Sequence, residues 1–189
     1  MPEPRKTSAL APYAEHFAAI ARDDLAIREV PFQVQVNLRG DPDVEGFGSA
    51  VGSVAGCAIP GANQVSRGPE RSVLGLGPDE WLVVSADGER ADLAAEFLAL
   101  LTGQHISVLD VSANRTIVEL SGERARDVLS SGCSLDLHPR AFAADQCAQT
   151  LLANVQIILE QTGSSPIYRV YVQPSFARYL ADWLLKAVE

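Results

Sequence analysis

The pattern of apolar and polar residues predicts the β-strands of this chain. Residues 33–38 alternate without interruption and place Val34, Val36 and Leu38 on one face of a half-buried strand. Shorter apolar runs bounded by turn residues predict further strands. These runs lie at residues 72–76, 80–85, 106–111, 115–120, 149–153, 156–160 and 167–172.

Three segments instead have the spacing of amphipathic helices, at residues 89–101, 121–131 and 175–188. The last has the strongest apolar stripe, and we predict that this stripe faces the core. Its members are Phe176, Tyr179, Leu180, Trp183, Leu184 and Ala187. Residues 40–68 are dense in glycine and proline, and we predict an irregular stretch there.

Helices interspersed with hairpin-connected strands predict an α+β fold. We expect two small lobes of mostly antiparallel sheet, at residues 31–111 and 112–189, each with helices packed on one face. Residues 1–30 have only a loose helical pattern near 14–28. We interpret them as an N-terminal arm that is either a frayed terminus or a segment that orders against a partner.

Composition excludes several classes of partner. The formal net charge of −9 argues against nucleic acid and anionic membrane surfaces, which both favour basic proteins. No 18-residue apolar run is present, so we expect no membrane span. Three cysteines without a CxxC pair fit neither a disulfide framework nor a zinc site. With no signal-peptide pattern at the N-terminus, we expect a cytoplasmic protein.

The basic residues are unusual, because only two of the 15 are lysine. Arginine's planar fork suits buried and interfacial ion pairs, so this bias favours a contact surface. A genome rich in G and C would produce the same bias.

Motifs for catalysis are sparse. The Gly46–Gly52 stretch has the spacing GxGxxxG and follows no strand, so it does not fit a dinucleotide fingerprint. His16, His105 and His138 are far apart in sequence and form no i, i+4 metal-binding pair. Asp110 precedes the 115–120 strand and is either a base or, as we favour, a turn residue.

Three motifs in order resemble a known family. They are LGPDEWLVV at residues 76–84, the segment at residues 110–142 with its strand and Ser-Gly helix start, and YRVYVQPSFARYLADWLLKA at residues 168–187. Together they resemble the gamma subunit of heterotetrameric sarcosine oxidase, which is related to the folate-binding aminomethyltransferases. The resemblance covers roughly residues 50–187.

The resemblance implies a subunit without its own active site, serving as an assembly scaffold with alpha, beta and delta subunits. The family's complex demethylates sarcosine oxidatively to glycine while O2 is reduced to hydrogen peroxide. The one-carbon unit leaves as formaldehyde or passes to tetrahydrofolate. FAD, FMN, NAD and the folate site belong to the other subunits, so we expect no cofactor on this chain. By this reading, Trp81, Arg115, His138 and Arg140 are candidate interface residues, although Trp81 also fits a core position.

The resemblance also argues against folate binding by this chain. In the aminomethyltransferases an acidic residue before the Tyr-rich strand helps to hold the pterin, and Ser164 stands at the matching position here. A hydroxyl cannot replace the charge-assisted pair of hydrogen bonds that a carboxylate makes. Two alternatives stay open: a stand-alone folate-binding or aminomethyltransferase-like protein, and an α+β binding module for an unrelated ligand.

Overall fold

Two five-stranded antiparallel sheets form the framework of the chain, in a computed structural model that describes residues 6–86, 93–163 and 166–188. Each described strand pair is antiparallel, and five helices accompany the sheets. The predicted α+β class is therefore confirmed.

The first sheet contains strands from residues 34–110 alone, and one of its three interior strands is the alternating segment that the sequence predicts. Its strands are β2 (Val34–Arg39), β3 (Val65–Arg67), β4 (Arg71–Gly75), β5 (Glu80–Ser85) and β6 (Ser107–Asp110). They lie in the order β3-β4-β5-β2-β6. Val34, Val36 and Leu38 are all buried in one core cluster, as expected for one face of β2.

The second sheet combines strands from the C-terminal part of the chain with one from its beginning. Its strands are β1 (Ala26–Val30), β7 (Thr116–Ser121), β8 (Gln146–Leu152), β9 (Val155–Thr162) and β10 (Ile167–Val172). They lie in the order β1-β7-β10-β9-β8. This sheet differs from the division that the sequence predicts, since β1 lies within the expected arm at residues 1–30. Strand β1 pairs with β7 from Ala26 to Val30. The Ile27 side chain of β1 is buried in the core under this sheet.

Helices cover the outer face of each sheet. The helices are α1 (Ala14–Ile20), α2 (Phe47–Ala55), α3 (Leu93–Leu100), α4 (Ala125–Ser130) and α5 (Pro174–Ala187). Buried residues of α2 and α3 share a core with the first sheet, and those of α1, α4 and α5 share another with the second. The inner faces of the two sheets meet in a third cluster, which contains Leu74 and Leu82 from one sheet and Ile158 and Tyr171 from the other. The result is four layers: helices, sheet, sheet, helices.

The two sheets are also joined at one pair of edges. The Val65 N–H donates to the Asp145 carbonyl at 2.8 Å, and the Cys147 N–H donates to the Asn63 carbonyl at 3.1 Å. These bonds link β3 to β8, so both edge strands have backbone partners that protect them from pairing with other chains.

Helix α2 lies where the sequence predicts an irregular stretch, and that prediction is wrong. Glycine and serine occupy four of its nine positions and have low helix propensity. The helix instead depends on burial of Phe47, Val51 and Val54 against the first sheet. Tertiary packing therefore outweighs local propensity here.

Helix α5 forms where predicted, and its buried face includes Leu180 and Leu184 of the predicted stripe but not all of that stripe. Ala177, Leu180, Ala181 and Leu184 are buried, whereas Phe176 and Tyr179 of the predicted stripe are 47% and 50% exposed. The two alanines complete the buried face beside the two leucines, and the larger rings of Phe176 and Tyr179 lie at its edge.

Candidate functional site: a buried charge cluster and an arginine cleft

A buried charge cluster lies between the two sheets around Glu160 of β9, whose side chain is fully buried. Arg67 of β3 donates from Nη2 to Glu160 Oε1 at 2.6 Å, and Tyr171 of β10 donates from its hydroxyl to Oε2 at 2.5 Å. Both carboxylate oxygens thus have a donor. Because Arg67 and Glu160 belong to different sheets, their ion pair joins the two lobes.

Arg67 is held by a second carboxylate at the edge of the cluster. Its Nε donates to Asp145 Oδ1 at 2.9 Å. Burial alone would lower the pKa of this guanidinium, but the Glu160 and Asp145 carboxylates outweigh it and the pKa is raised. The charged form of Arg67 is therefore stabilised by the fold itself.

A second arginine–carboxylate group lies across three neighbouring strands of the second sheet. Arg28 of β1 and Arg169 of β10 stand directly opposite Glu119 of β7 in the strand registers. Arg28 donates to Glu119 Oε1 from Nη2 at 2.6 Å, and Arg169 donates from Nε to Oε2 at 3.1 Å. Cross-strand pairs of opposite charge fix the register of the strands.

The remaining titratable groups of the cluster are held neutral. Burial, and then the neighbouring Glu160 carboxylate, raise the pKa of Tyr171 well above its ordinary value. The same two causes raise the pKa of the Cys147 thiol to about 12. A thiol with that pKa is a poor nucleophile near neutral pH, because the thiolate is the reactive form. The cluster thus has the character of a structural support.

Arg115 occupies the connection between the two lobes, just before β7, and its backbone is firmly held. The Gln35 side-chain amide donates to the Arg115 carbonyl at 2.9 Å. Asp110 Oδ1 accepts from the Ser112 N–H at 2.9 Å and from its hydroxyl at 2.6 Å, and Ser112 Oγ accepts from the Gln35 N–H. Asp110 is thus a turn residue, as we favoured over a catalytic base.

The Arg115 side chain lines two adjoining clefts of about 430 Å³ and 350 Å³. We call them together the arginine cleft, which is lined by Arg115 with Lys6, Phe32, Ser112, Leu151 and Gln173. Among the described residues, no carboxylate forms an ion pair with the guanidinium and no side chain accepts a hydrogen bond from it. Burial lowers the pKa of Arg115, and the Glu80 carboxylate only partly opposes this.

The other predicted interface residues lie elsewhere. His138 and Arg140 are both exposed in one turn, where His138 Nδ1 accepts from the Arg140 N–H at 3.2 Å. Neither lines the arginine cleft. Trp81 is 2% exposed, packs against Phe47, and donates from Nε1 to the Pro60 carbonyl at 2.9 Å. Its side chain is therefore a core residue, because β5 turns this position toward α2.

Sequence reasoning missed the buried charge cluster. In β7 and β9, the apolar residues that face the helices alternate with residues on the other face of the sheet. Glu119 and Glu160 lie on that other face. The pattern does not reveal that the other sheet covers this side, so it predicts no buried cluster there. Ser164, the position expected to exclude folate, lies outside the described residues.

Within the described ranges, no group of three or more His, Cys, Asp or Glu side chains is placed to hold a metal ion. In the same part of the chain, no helix has both the length and the apolar character needed to cross a membrane.

Comparison with known proteins identifies the family. The model of the sarcosine oxidase, gamma subunit family matches residues 39–189. Sarcosine oxidase subunit gamma from Corynebacterium sp. (strain P-1) is 40% identical over 182 residues, covering 93% of this chain and 88% of the relative.

Two solved structures share the fold. A chain of heterotetrameric sarcosine oxidase from Corynebacterium sp. U-96 superposes with a TM-score of 0.88 at 32% identity, covering 97% of this chain and 94% of that chain. Aminomethyltransferase T of the glycine cleavage system from Bartonella henselae has a TM-score of 0.65 at 17% identity, covering 90% of this chain and 48% of that one, and shows the fold alone. The resemblance read from the three sequence motifs is confirmed, and the chain belongs to the sarcosine oxidase gamma subunit family.

Proposed function

We propose that this chain acts as the gamma subunit of a heterotetrameric sarcosine oxidase and supports the assembly of that complex without an active site of its own. The observation that carries the proposal is the superposition, at a TM-score of 0.88 over 97% of the chain, on a chain of a heterotetrameric sarcosine oxidase. A stand-alone folate-binding protein is not favoured, because the relatives named gamma subunits match most of the chain.

The scaffold role is supported by how the chain uses its ionisable groups. Glu160 and Glu119 bind arginines and a tyrosine of the same chain, and the Cys147 thiol is held neutral. The Glu160 pair joins the two lobes, and the Glu119 pairs join neighbouring strands of the second sheet, so both carboxylates have a structural use. The same arrangement would give the complex a rigid part against which other subunits can pack.

The partners in this proposal are alpha, beta and delta subunits, with FAD, FMN, NAD and tetrahydrofolate held by those subunits. The reaction of the complex is oxidative demethylation of sarcosine to glycine with formation of hydrogen peroxide. We place the chain in the cytoplasm, which its three unpaired thiols favour because a reducing compartment preserves free cysteines.

Affinity purification of the tagged chain from its native cells tests the proposal. We expect a yellow assembly with three further subunits and sarcosine-dependent peroxide production. A colourless chain that purifies alone would contradict the proposal. Titration of that chain with tetrahydrofolate would then separate a folate-binding protein from a module for an unrelated ligand.

Removing the chain tests the scaffold role separately. In cells that lack it, we expect the yield of assembled oxidase to fall more than the turnover number per flavin of any complex that remains. Normal assembly with a selectively reduced turnover number would instead assign the chain a direct part in the chemistry.

A further inference from the structure

We propose that the arginine cleft is a docking site for a partner subunit, and that Arg115 binds an acidic side chain which the partner inserts there. This inference rests on the proposed function, because it takes the partner to be another subunit of the same complex. It goes further by assigning the surface, the residue and the chemistry of the contact.

The backbone of Arg115 is fixed by hydrogen bonds within the chain. Gln35 is 1% exposed in β2, and its side-chain amide fixes the Arg115 carbonyl. The hydrogen bonds among Asp110, Ser112 and Gln35 fix the turn that leads to it. A rigid backbone adds no ordering cost of its own when the guanidinium binds, so only the side-chain torsions have to be fixed.

The Arg115 guanidinium is partly removed from water, and no carboxylate of the described residues pairs with it to offset the cost of desolvation. The residue is half-buried. Glu80, which acts on it electrostatically, already accepts a hydrogen bond from Asn37 Nδ2 at 2.8 Å. A partly desolvated cation gains the most from a charge-assisted, bidentate hydrogen bond to a carboxylate.

Exposed apolar side chains lie at the two ends of the arginine cleft. Phe32 at one end is 40% exposed, and Leu151 at the other is 41% exposed. The Lys6 ammonium lies 5.8 Å from the centroid of the Phe32 ring and adds a second positive charge on that side. Apolar residues around a central charged anchor exclude water from the contact and strengthen it, as in the energetic centres of protein interfaces. The occupant that fits is a segment with one carboxylate flanked by apolar side chains.

The test measures association between the purified chain and the remaining subunits. Arg115→Glu should weaken binding at least about 30-fold, because it replaces a partly desolvated attraction by repulsion. Arg115→Lys should weaken it less, since the charge stays while the planar fork is lost. Raising the salt concentration should weaken the wild-type complex more than the Arg115→Leu complex. Salt screens the ion pair between Arg115 and the partner carboxylate, and the leucine variant lacks that pair.

The matched control is Arg22→Glu, which makes the same charge change at an exposed arginine. Arg22 lies before the start of β1, whereas Arg115 lies near the end of that strand. It should leave the affinity unchanged. Equal affinities for Arg115→Glu, Arg22→Glu and wild type would overturn the docking site while leaving the gamma-subunit function intact. No association of the wild-type chain with the other subunits would overturn the proposed function itself.

A fold control and a free-anion control complete the design. Thermal unfolding of Arg115→Glu and Arg115→Leu separates lost binding from lost folding, and the salt dependence of the leucine variant still tests the ion pair if the glutamate variant fails to fold. The isolated chain is also titrated with inorganic phosphate. Tight phosphate binding that depends on Arg115, together with unchanged subunit association, would assign the cleft to a free anion and overturn the partner carboxylate.

Discussion

Arg67 and Arg115 are two half-buried arginines with opposite surroundings. Arg67 meets Glu160 and Asp145 within its own chain, and its pKa is raised despite burial. Arg115 meets no such carboxylate among the described residues, and burial lowers its pKa. The first arginine completes a contact that holds the two lobes together. The second has the desolvation cost without the compensating pair, which is what a site for an external carboxylate requires.

Among the substitutions that test this comparison, replacing Glu160 should have the largest effect on the stability of the chain. Glu160→Gln keeps the shape but leaves Arg67 half-buried without its main partner, so we expect a loss of about 3 to 5 kcal/mol in the free energy of unfolding. Chemical denaturation of the purified full chain measures it. Glu45→Gln, at an exposed loop position, is the control and should change stability by less than about 0.5 kcal/mol. Equal effects of the two substitutions would show that the cluster is not stabilising.

High pH should weaken the same cluster through Cys147. Its pKa rises from 9.0 in the unfolded chain to about 12 in the fold. As the pH rises, the unfolded chain therefore releases the thiol proton before the folded chain does. The contribution of this thiol to the free energy of unfolding is fully present below pH 9 and is lost as the pH rises toward 12. We expect the free energy of unfolding to fall by up to about 1.4 kcal/mol per pH unit in that window. Cys147→Ala should reduce this slope, and an unchanged slope would contradict the assignment.

Tyr171→Phe should have a smaller effect than Glu160→Gln, because it removes one hydroxyl and leaves Glu160 Oε2 without its donor. We expect a loss of about 1 to 3 kcal/mol by chemical denaturation. Tyr179→Phe makes the same chemical change at a half-exposed ring whose hydroxyl donates to the Ala153 carbonyl, and it should cost less. A larger loss for Tyr179→Phe would reverse our ranking of the two hydroxyls.

Arg115→Leu should have the smallest effect on the isolated chain. Because the guanidinium pairs with no described carboxylate, we expect the free energy of unfolding to change by about 0.5 kcal/mol or less. Arg67→Leu is the matched substitution and should destabilise by several kcal/mol, since it leaves the buried Glu160 without its cation. Similar losses for the two variants would remove the contrast between the two arginines.

Several elements could be predicted from sequence because their causes are local. The strands β5 and β10 begin and end where the apolar pattern predicts, and β2 buries the three residues that its alternation selects. Helix α2 could not be predicted, because its glycines and serines oppose helix formation and only contacts with the first sheet stabilise it. The buried face of α5 was predicted only in part, because Leu180 and Leu184 are buried as expected whereas Phe176 and Tyr179 are about half exposed.

The candidate site shows the same division. The sequence placed His138 and Arg140 in a polar loop and assigned Asp110 to a turn, both from neighbours along the chain. Its choice of Arg115 as an interface residue stays a prediction. It ranked Trp81 among the possible contact residues because one strand pattern does not reveal which layer covers each face. The structure places that side chain in the core.

The sequence by itself determined the strand pattern, the α+β class and the family motifs, because each depends on residues that are close along the chain. Only the tertiary structure decided which charges meet. Arg67 and Glu160 are 93 residues apart, and their pairing follows from the stacking of two sheets. That same stacking covers the face carrying Glu160 and leaves Arg115 at the junction of the lobes, where burial removes water and no carboxylate of the described residues pairs with it.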